Sequence, residues 1–409
     1  MSLRLSCVLA PVLLFAAPGW AQDARVLRVG TSGDYAPFSV SGPEGPKGFD
    51  IAVAERFAED QGWGVEFVTF RWPELLPDLS KHRFDVAMSG VTVRPERSVA
   101  ARFTVPVVTS GALALVHEDS PYQDASDLRL AGTRVAVNAG GHLEQVARAS
   151  FPRVTLLAIP DNAAVLTALA SRQVDAAVTD DLEAAHWRSE VPGLRAIGPL
   201  TRDRKAYLVD PAQAGLARSL DAWLLARERD GTLEELREEW LPGSFPALAT
   251  PMDSLLAALD ERLDLMPLVA ESKRREGLPV RDPEREARVQ EAAVAAAREA
   301  AREADLPPLP ERRVRALFAA QIEAAVAVQQ AVLAGAAASG PASDLETELR
   351  PALLRLGERI SMLLVRLPGP MDPGQVEGRT TEALDAPGLE PRHVAAIADA
   401  IAQLSLYRR

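Results

Sequence analysis

The chain has 409 residues, which is too long for one ordinary hydrophobic core and predicts two or three domains. Its net charge of -12 disfavours nucleic acid as a partner, and a pocket for an anion would need local arginines and lysines to reverse the field. The five histidines lack metal-ligand spacing, only one cysteine is present, and no glycine pattern cradles a nucleotide. We therefore expect no disulfide, no thiol chemistry, no metal and no cofactor.

Residues 1–21 have the composition of an export signal. Arg4 supplies a positive start, the apolar run CVLAPVLLFAAP follows, and Gly19-Trp20-Ala21 offers a small-residue cleavage site. The alternative, an uncleaved membrane anchor, is disfavoured because the apolar run is shorter than the ~20 residues that a span needs. No later segment is expected to cross a bilayer. We therefore predict an exported, periplasmic protein that is free of the membrane after cleavage.

The rest of the chain changes character near its middle. Up to about Pro246, short β-rich runs such as VLRVGTS, FDVAMSG and VDAAVTD alternate with amphipathic helices, which predicts an α/β domain with largely parallel sheets. The proline-rich stretch LPGSFPALATP predicts a linker over 247–254. Over 255–409 helical periodicity takes over, interrupted at AGAAASGPASD, and it predicts an all-α domain.

Polar residues in the first half form a candidate cleft for a carboxylated ligand. Arg97 can hold a carboxylate bidentately, which a lysine does less well. The run VAVNAGGHLEQVA is a strand, a glycine turn and a helix, whose first turn offers free N–H groups to an anion. For any one of these residues alone, a solvated position on the surface is a simpler interpretation than a role in binding. The residues predicted to line this cleft are Tyr35, Trp72, Ser89, Gly90, Thr92 and Arg97.

Motifs of the first half occur in the order and spacing of a known family. GTSGDYAPFS, GFDIAVAERFAE, FDVAMSGVTVRPERS and VDAAVTD make residues 22–246 resemble the extracellular solute-binding proteins for polar amino acids. The resemblance implies two α/β lobes, the second at about 115–205, that close on a ligand. It places the connecting strands near Gly111–Val116 and Lys205–Leu208. The predicted fold class is thus multidomain, a two-lobed α/β periplasmic-binding-protein fold followed by an all-α domain.

Longer phrases sharpen the resemblance. AMSGVTVRPER, VNAGG and PDNAAVLTALASRQVDAAVTDDLEA are similar to the cyclohexadienyl dehydratases, enzymes built on this binding-protein frame. The similarity implies removal of water and CO2 from prephenate or arogenate, giving phenylpyruvate or phenylalanine. It makes Glu183 the general acid and Lys205 the ligand of a second carboxylate. Asp180 would hold a ligand amine or order nearby hydroxyls. The same resemblance assigns three further residues to the ligand site: Asn138, Gly141 and Thr179.

One departure from the dehydratases follows the glycine turn. They have Thr-Asn-Glu, whereas this chain has His142, Leu143 and Glu144, so a hydroxyl and an amide are lost. This leaves open whether the first half is active and whether it prefers prephenate or arogenate. His142 either replaces a donor or is an exposed helix start. The nearby Asp181 is interpreted as a solvated helix start.

The second half has helical spacings that bring cations together. Arg262 and Lys273 are eleven residues apart, three turns of one helix, so their side chains emerge on one face. GLPVRDP ends that helix. Asp282 can then cap the next helix with Pro283 in its first turn, which places Arg285 at the helix start.

The segment LLAALDERLDLMPLVAESKRREGLPVRDPEREARV, joined by LFAAQIEAAVAVQ and LRPALLRLGERI, resembles the secreted, gamma-type chorismate mutases. The resemblance implies that Arg262, Arg285 and Arg350 hold the two carboxylates of chorismate. Lys273 and Gln329 would donate to its ether oxygen, and Glu286 would bind its hydroxyl. Beyond Arg359 the tail is predicted to add one packing helix. The alternative is a helical appendage with surface arginines.

The two resemblances support each other because the product of the second half is the substrate of the first. We therefore predict a bifunctional enzyme of phenylalanine biosynthesis acting on chorismate, prephenate and arogenate. The alternative is a non-catalytic amino-acid-binding transport protein fused to an active mutase. Because both related families associate, the protein is a possible homo-oligomer, although no interface can be identified from the sequence.

Overall fold

A computed structural model describes residues 25–407, apart from 242, 244 and 336–342. The predicted export signal lies outside the described residues. The strands, in chain order, are β1 (Val26–Thr31), β2 (Asp34–Tyr35), β3 (Ser39–Val40), β4 (Gly64–Thr69), β5 (Val86–Ala87), β6 (Arg102–Phe103), β7 (Val108–Ser110), β8 (Ala112–His117), β9 (Arg134–Asn138), β10 (Thr155–Ile159), β11 (Ala176–Asp180), β12 (Leu194–Ile197), β13 (Asp203–Lys205) and β14 (Leu208–Val209).

Helices alternate with these strands and then follow them. The helices, in chain order, are α1 (Phe49–Gln61), α2 (Leu75–Ser80), α3 (Pro95–Ala100), α4 (His142–Ser150), α5 (Asn162–Ala170), α6 (Asp181–Glu190), α7 (Ala214–Arg229), α8 (Thr232–Trp240), α9 (Pro251–Asp264), α10 (Met266–Glu276), α11 (Pro283–Glu303), α12 (Glu311–Ala334), α13 (Arg350–Leu364), α14 (Pro373–Ala383) and α15 (Pro391–Ser405). Short 3-10 turns span Trp72–Glu74, Asp127–Arg129 and Pro211–Gln213, and a π-helical turn spans Leu345–Leu349.

Two sheets form the two lobes of an N-terminal α/β domain. The first sheet has the order β4-β1-β5-β14-β6 and the second has the order β10-β9-β11-β8-β12. Strands β1, β4 and β5 pair in parallel, as do β9, β10 and β11. Because helices cover such sheets, their strands are apolar, as in the fully buried β11. The predicted α/β class is confirmed.

The connection between the lobes differs from the prediction by a few residues. The antiparallel pair β7 and β13 joins the lobes, with Ser110 opposite Asp203 and Val108 opposite Lys205. The predicted connecting segments instead begin with β8 of the second sheet and end in β14 of the first. The sequence could not separate these strands because the chain continues almost directly from β7 into β8 and from β13 into β14.

The C-terminal half is a bundle of helices, as predicted, with three corrections. Helix α9 begins at Pro251, capped by Thr250, so the last residues of the predicted linker are helical. The single helix expected to carry Arg262 and Lys273 is divided at Leu265 into α9 and α10. Proline in the first turn of α10 lacks the N–H that would continue the ladder. The tail forms two helices, α14 and α15, rather than one.

One described helix, α12, is long and apolar enough to cross a membrane, so the expectation that no such later segment exists was wrong by length and composition. Half of its most apolar window is buried in the fold, and it packs against α10, α11 and α15. These are the contacts of a central helix in a helical domain, a class that passes the same test.

The two domains share one hydrophobic core. A single cluster of buried side chains runs from Val29 and Phe57 of the first lobe through Leu220 of α7 to Leu259 and Ile360 of the bundle. Most buried apolar side chains of the second lobe form separate clusters, so the bundle packs mainly against the first lobe. Helix α3 lies at this junction and packs against both α9 and α13.

Candidate functional site

Asp180 and Glu183 lie where β11 ends and α6 begins. Asp180 is fully buried and caps α6, because its Oδ1 accepts the N–H groups of Leu182 and Glu183 at 3.1 and 2.9 Å. This cap places Glu183 in the first turn of the helix, facing a cavity between the lobes, the interlobe cavity.

Glu183 is held inside the protein and close to another acid. It is 1% exposed, Thr179 Oγ1 donates to its Oε2 at 2.5 Å, and Asn162 Nδ2 donates to its Oε1. Burial raises the pKa of Glu183 well above its usual range, and the negative charge of Asp180 raises it further. A carboxyl group whose pKa is raised in this way keeps its proton to a higher pH than usual, which suits it to general-acid work.

Lys205 neutralises the neighbouring carboxylate. Its ammonium group donates to Asp180 Oδ2 at 2.9 Å, to Tyr35 Oη at 2.9 Å and to Thr92 Oγ1 at 3.0 Å, and the side chain is 4% exposed. Tyr35 also donates to Asp180. Burial and the charge of Asp180 raise the pKa of Tyr35, so its hydroxyl stays protonated as a donor. Two lobes meet in this network, with Tyr35 from the first and Asp180 from the second.

Arg97 supplies a second buried cation to the interlobe cavity. It projects from α3, donates to the carbonyl of Thr92 at 2.9 Å and lies 5.7 Å from the ring centre of Trp72. Burial lowers the pKa of Arg97 to about 9, with a smaller contribution from Arg94. The guanidinium remains charged at neutral pH and can bind a carboxylate.

Most of the residues predicted for this site come together at the interlobe cavity. Gly90 belongs there for a steric reason, since a Cβ would lie 2.5 Å from Cε1 of Tyr35 and the φ of Gly90 is 61°. The predicted residues that line the cavity are Tyr35, Trp72, Gly90, Thr92, Arg97, Asn138, Gly141, Glu183 and Lys205.

Three predicted residues lie behind this first layer. Ser89 does not line the cavity, since its Oγ accepts the N–H of Ser32 at 3.0 Å and bonds the hydroxyl of Ser39 at 2.8 Å, and its contact with a ligand stays a prediction. Thr179 supports Glu183, and Asp180 supports Lys205 and the start of α6. Whether each of these residues lines the cavity depends on the direction of its side chain. The alternation of buried and exposed residues in the sequence does not reveal this direction at the irregular end of a short strand.

Asn162 was missed by the sequence analysis although it lines the interlobe cavity. It begins α5, which Asp161 caps, and its amide reaches both Glu183 and, at 3.2 Å, the carbonyl of Asp34 in the first lobe. Asn162 therefore bridges the lobes. The Pro-Asp-Asn run that starts this helix was the available signal.

The contacts of His142 decide between the two interpretations of this residue, a replacement donor or an exposed helix start. Its ring lines the interlobe cavity together with Leu143, and its Nε2 bonds Asp203 Oδ2 on the connecting strand at 2.9 Å. Burial lowers the pKa of His142, against the raising effect of Asp203. His142 is thus not an exposed helix start. The carboxylate of Asp181, by contrast, lies outside the cavity and accepts the N–H of Gly111 at 3.2 Å.

The interlobe cavity is about 30 Å³, far below the several hundred Å³ of ordinary small-molecule pockets. The lobes are therefore closed upon one another. A ring-sized ligand requires them to separate by movement of β7 and β13.

A second and much larger cavity, of about 760 Å³, lies between the helices of the bundle and extends to the first lobe, where residues of α3, β6 and α7 also line it. It is called the bundle cavity. All six residues predicted for the chorismate site line it. They come from five helices, α9 to α13, and are Arg262, Lys273, Arg285, Glu286, Gln329 and Arg350. The division at Leu265 does not separate Arg262 from Lys273, because both still face this cavity.

The cations of the bundle cavity repel one another. Burial lowers the pKa of Arg262 to about 10, and Arg285 contributes to the lowering. Burial first, and then the charge of Arg350, lowers the pKa values of Lys273 and Arg285. A cluster of this kind is unfavourable by itself and favourable with a dianion bound, so it suits a ligand with two carboxylates.

Local contacts orient the remaining side chains of this cavity. Lys273 donates to the carbonyl of Val280 at 2.6 Å, in the loop before α11, and Arg350 pairs with Glu346 one turn earlier. Asp282 caps α11 at Arg285 N, 3.0 Å away, as predicted. Glu286 accepts the N–H of Asp282 at 3.4 Å, which closes the turn.

Gln329 is 4% exposed and is only half satisfied. Its Nε2 donates to the carbonyl of Ala325 at 3.2 Å, whereas its Oε1 is buried without a partner among the described residues. A half-turn of the amide exchanges the two ends. The group can therefore offer either an acceptor or a donor to a ligand in the bundle cavity.

Comparison with known proteins places both halves of the chain. Residues 27–243 match the bacterial extracellular solute-binding proteins, family 3. The chain belongs to this family. Residues 253–330 match chorismate mutase type II, so the bundle contains a domain of that type. The N-terminal part is hereafter the solute-binding domain and the bundle is the mutase domain.

Individual relatives of the solute-binding domain include an enzyme and transport proteins. The cyclohexadienyl dehydratase of Pseudomonas aeruginosa is 34% identical over 59% of this chain and 94% of its own length. The L-cystine-binding protein TcyJ of Escherichia coli K12 is 27% identical over 54% of this chain and 84% of its own.

Among solved structures, the ancestral amino-acid-binding protein AncCDT-1, described as a precursor of cyclohexadienyl dehydratase, is 32% identical. Its TM-score is 0.50, covering 53% of this chain and 95% of that chain. A dehydratase relative and a chorismate mutase domain in one chain support an enzyme of phenylalanine biosynthesis.

Proposed function

We propose that the protein is a bifunctional exported enzyme. The mutase domain converts chorismate to prephenate, and the solute-binding domain converts prephenate, or arogenate, to phenylpyruvate or phenylalanine. The observation that carries the second activity is a buried, proton-retaining Glu183 that shares the closed interlobe cavity with two cations, Arg97 and Lys205.

The dehydratase reaction needs one proton and two anchored carboxylates. Glu183 gives its proton to the ring hydroxyl, and the C–O bond breaks as water leaves. The bond to the ring carboxylate breaks at the same time, its electron pair enters the ring and CO2 departs. Arg97 holds one carboxylate, and Lys205 holds the other once opening of the lobes frees it from Tyr35 or Thr92. Asn162 and Thr179 keep Glu183 aimed at the hydroxyl.

The mutase reaction needs no proton transfer, because chorismate rearranges in one pericyclic step through a cyclic transition state of six atoms. The bundle cavity would supply a compact conformer and positive charge at the ether oxygen as its bond to carbon breaks. Arg262, Arg285 and Arg350 would hold the carboxylates. Lys273 and Gln329 would donate to the ether oxygen from opposite sides.

The competing function for the solute-binding domain is capture of an amino acid without chemistry, as for its L-cystine-binding relative. The contacts of Lys205 argue against it. Its ammonium group already occupies Asp180, at 2.9 Å, where the amine of an amino acid would have to bind. A ligand amine would have to displace a buried lysine.

Export is part of this proposal. It rests on the composition of residues 1–21 and on membership of a family of extracellular proteins. Detection of a mature chain that begins near Gln22 in a periplasmic extract would test it.

The decisive experiment is to incubate the purified full chain with chorismate and identify products over time. We expect prephenate to appear first and phenylpyruvate to follow. Accumulation of prephenate alone, with calorimetric binding of an amino acid, would leave the transport alternative. Absence of prephenate would remove the mutase assignment.

A further inference from the structure

The connecting strand β13 bears side chains with three different destinations. Successive side chains of a strand point in opposite directions. Asp203 and Lys205 point to the interlobe cavity, where they bond His142 and Asp180, both at 2.9 Å. Arg204, between them, points the other way and donates to Asp260 of the mutase domain at 2.6 Å.

The partner of Arg204 is itself well anchored. Asp260 Oδ1 accepts the N–H of Asp385 at 3.5 Å, and Arg204 Nη2 donates to the carbonyl of Ala383 at the end of α14, at 3.4 Å. The side chains of Arg204 and Asp260 are 24% and 13% exposed. Such a shielded pair, with added backbone contacts, is screened less by salt than a surface pair.

The next residue of α9 makes a parallel connection. Glu261 accepts the hydroxyl of Ser98 at 2.8 Å, and Ser98 follows Arg97 on α3. Arg355 of α13 also donates to the carbonyl of Ser98 at 3.2 Å. Arg262, one residue further, lines the bundle cavity. Successive residues of one mutase helix thus touch the connecting strand, the helix of the carboxylate-binding arginine and the mutase site.

We propose that Asp260 of the mutase domain is a positioning residue for the dehydratase reaction, acting through Arg204 on β13. By fixing the outward side chain of this strand, Asp260 keeps Lys205 and Asp203 directed at the interlobe cavity. The inference rests on the proposed dehydratase function. Because a closed cavity of about 30 Å³ must open for each substrate, β13 has to return to the same position each time. A tie to the rigid bundle provides that reference point.

The test compares variants of the full chain with prephenate and with chorismate as substrates. Arg204→Met and Asp260→Leu should each lower dehydratase kcat/KM on the order of tenfold, since small misplacements of reacting groups cost that much or more. The double variant should be no worse than either single one, because both remove one interaction. Arg204→Lys, which keeps the charge, should recover part of the rate. Mutase kcat/KM should stay unchanged and also reports correct folding.

Arg379→Met is the matched control, because Arg379 of α14 pairs with Asp253 on the same helix α9 without touching β13 and without lining the bundle cavity. It should alter neither activity. Asp260→Asn replaces Asp260→Leu if the latter does not fold.

Hydrogen exchange of the peptide covering 203–205 supplies a readout that needs no substrate. Exchange should be faster in Arg204→Met than in the wild type and in Arg379→Met. Unchanged dehydratase kcat/KM in both single variants would overturn the inference. If the wild type does not convert prephenate, the proposed function fails instead. Unchanged hydrogen exchange in Arg204→Met would then show that Asp260 does not hold β13 in position, and faster exchange would support that role.

Discussion

The two cavities of this protein handle charge in opposite ways. In the interlobe cavity the ammonium of Lys205 is paired with the carboxylate of Asp180, burial raises the pKa of the adjacent Glu183, and Arg97 adds one cation, so the charges nearly balance. In the bundle cavity, burial lowers the pKa values of Arg262, Lys273 and Arg285, and repulsion from Arg285 or Arg350 lowers them further. Positive charge is therefore in excess around these side chains. A balanced site suits delivery of a proton, and an unbalanced site suits polarisation of a dianion. The contrast matches the two proposed reactions.

The largest effect should come from removing the proton in the balanced site. Glu183→Gln should lower kcat for prephenate by about 10²–10⁴-fold, because general-acid catalysis contributes that much. Chorismate mutase activity should not change. The measurement is phenylpyruvate formation at saturating prephenate.

Asp181→Asn is the matched control for this variant, because it removes a neighbouring acid of α6 that lies outside the cavity. Near-normal turnover by Glu183→Gln would assign the proton to another group and remove the contrast between the cavities.

The next effect should come from weakening the excess charge in the bundle cavity. Lys273→Met should lower kcat/KM for chorismate by about 10²–10³-fold, the usual loss when one donor to a developing negative charge is removed. Dehydratase activity should be retained. Consumption of chorismate, followed by absorbance, measures this.

Arg275→Met provides the comparison, since Arg275 lies on the same helix but is exposed and bonds the carbonyl of Ser343 at 3.2 Å. Equal losses of kcat/KM in both variants would mean that Lys273 acts only through the overall positive charge of the domain and makes no specific contact with the ether oxygen.

The two reaction rates should also differ in their dependence on pH, although by less than in the variants above. Burial raises the pKa of Glu183, so its acid form persists to higher pH than usual. Dehydratase kcat should therefore be full below that pKa and fall as pH rises through it. Gln329 does not titrate, so the mutase rate should fall little between mildly acidic and mildly basic pH. A steep loss of mutase activity just above neutral pH would contradict this flat profile and would point to Lys273, whose pKa burial lowers, as the titrating group.

The smallest expected effect concerns salt. Raising ionic strength from about 0.05 to about 0.5 M shortens the screening length severalfold and weakens attraction to an excess of charge. KM for chorismate should rise a few-fold, whereas KM for prephenate at the balanced cavity should change less. Initial rates in KCl test this, and equal slopes would contradict the contrast.

The sequence alone predicted the site residues better than their surroundings. Glu183 and Asp180 could be placed because a strand followed by a capped helix fixes where its first acids lie. The mutase cations could be placed by helical spacing and resemblance, and all of them line one cavity. Local rules of this kind need only a few neighbouring residues.

Features that depend on distant residues were not predictable. The pairing of Lys205 with Asp180 joins residues from different lobes. The inward turn of Ser89 toward Ser32 and the bridging role of Asn162 likewise depend on how the elements meet in space. The contact of Arg204 with Asp260 depends on how two domains pack, which no motif in either domain specifies.

The closed interlobe cavity has a consequence for the pace of catalysis. Under the proposed function, carbon dioxide, water and an aromatic acid would form between lobes that have closed over the substrate. Their release would then require the lobes to separate again. Opening of the lobes against solvent friction would then limit kcat. Added sucrose should slow prephenate turnover in proportion to solution viscosity. The roomy bundle cavity would let its product diffuse away with little drag.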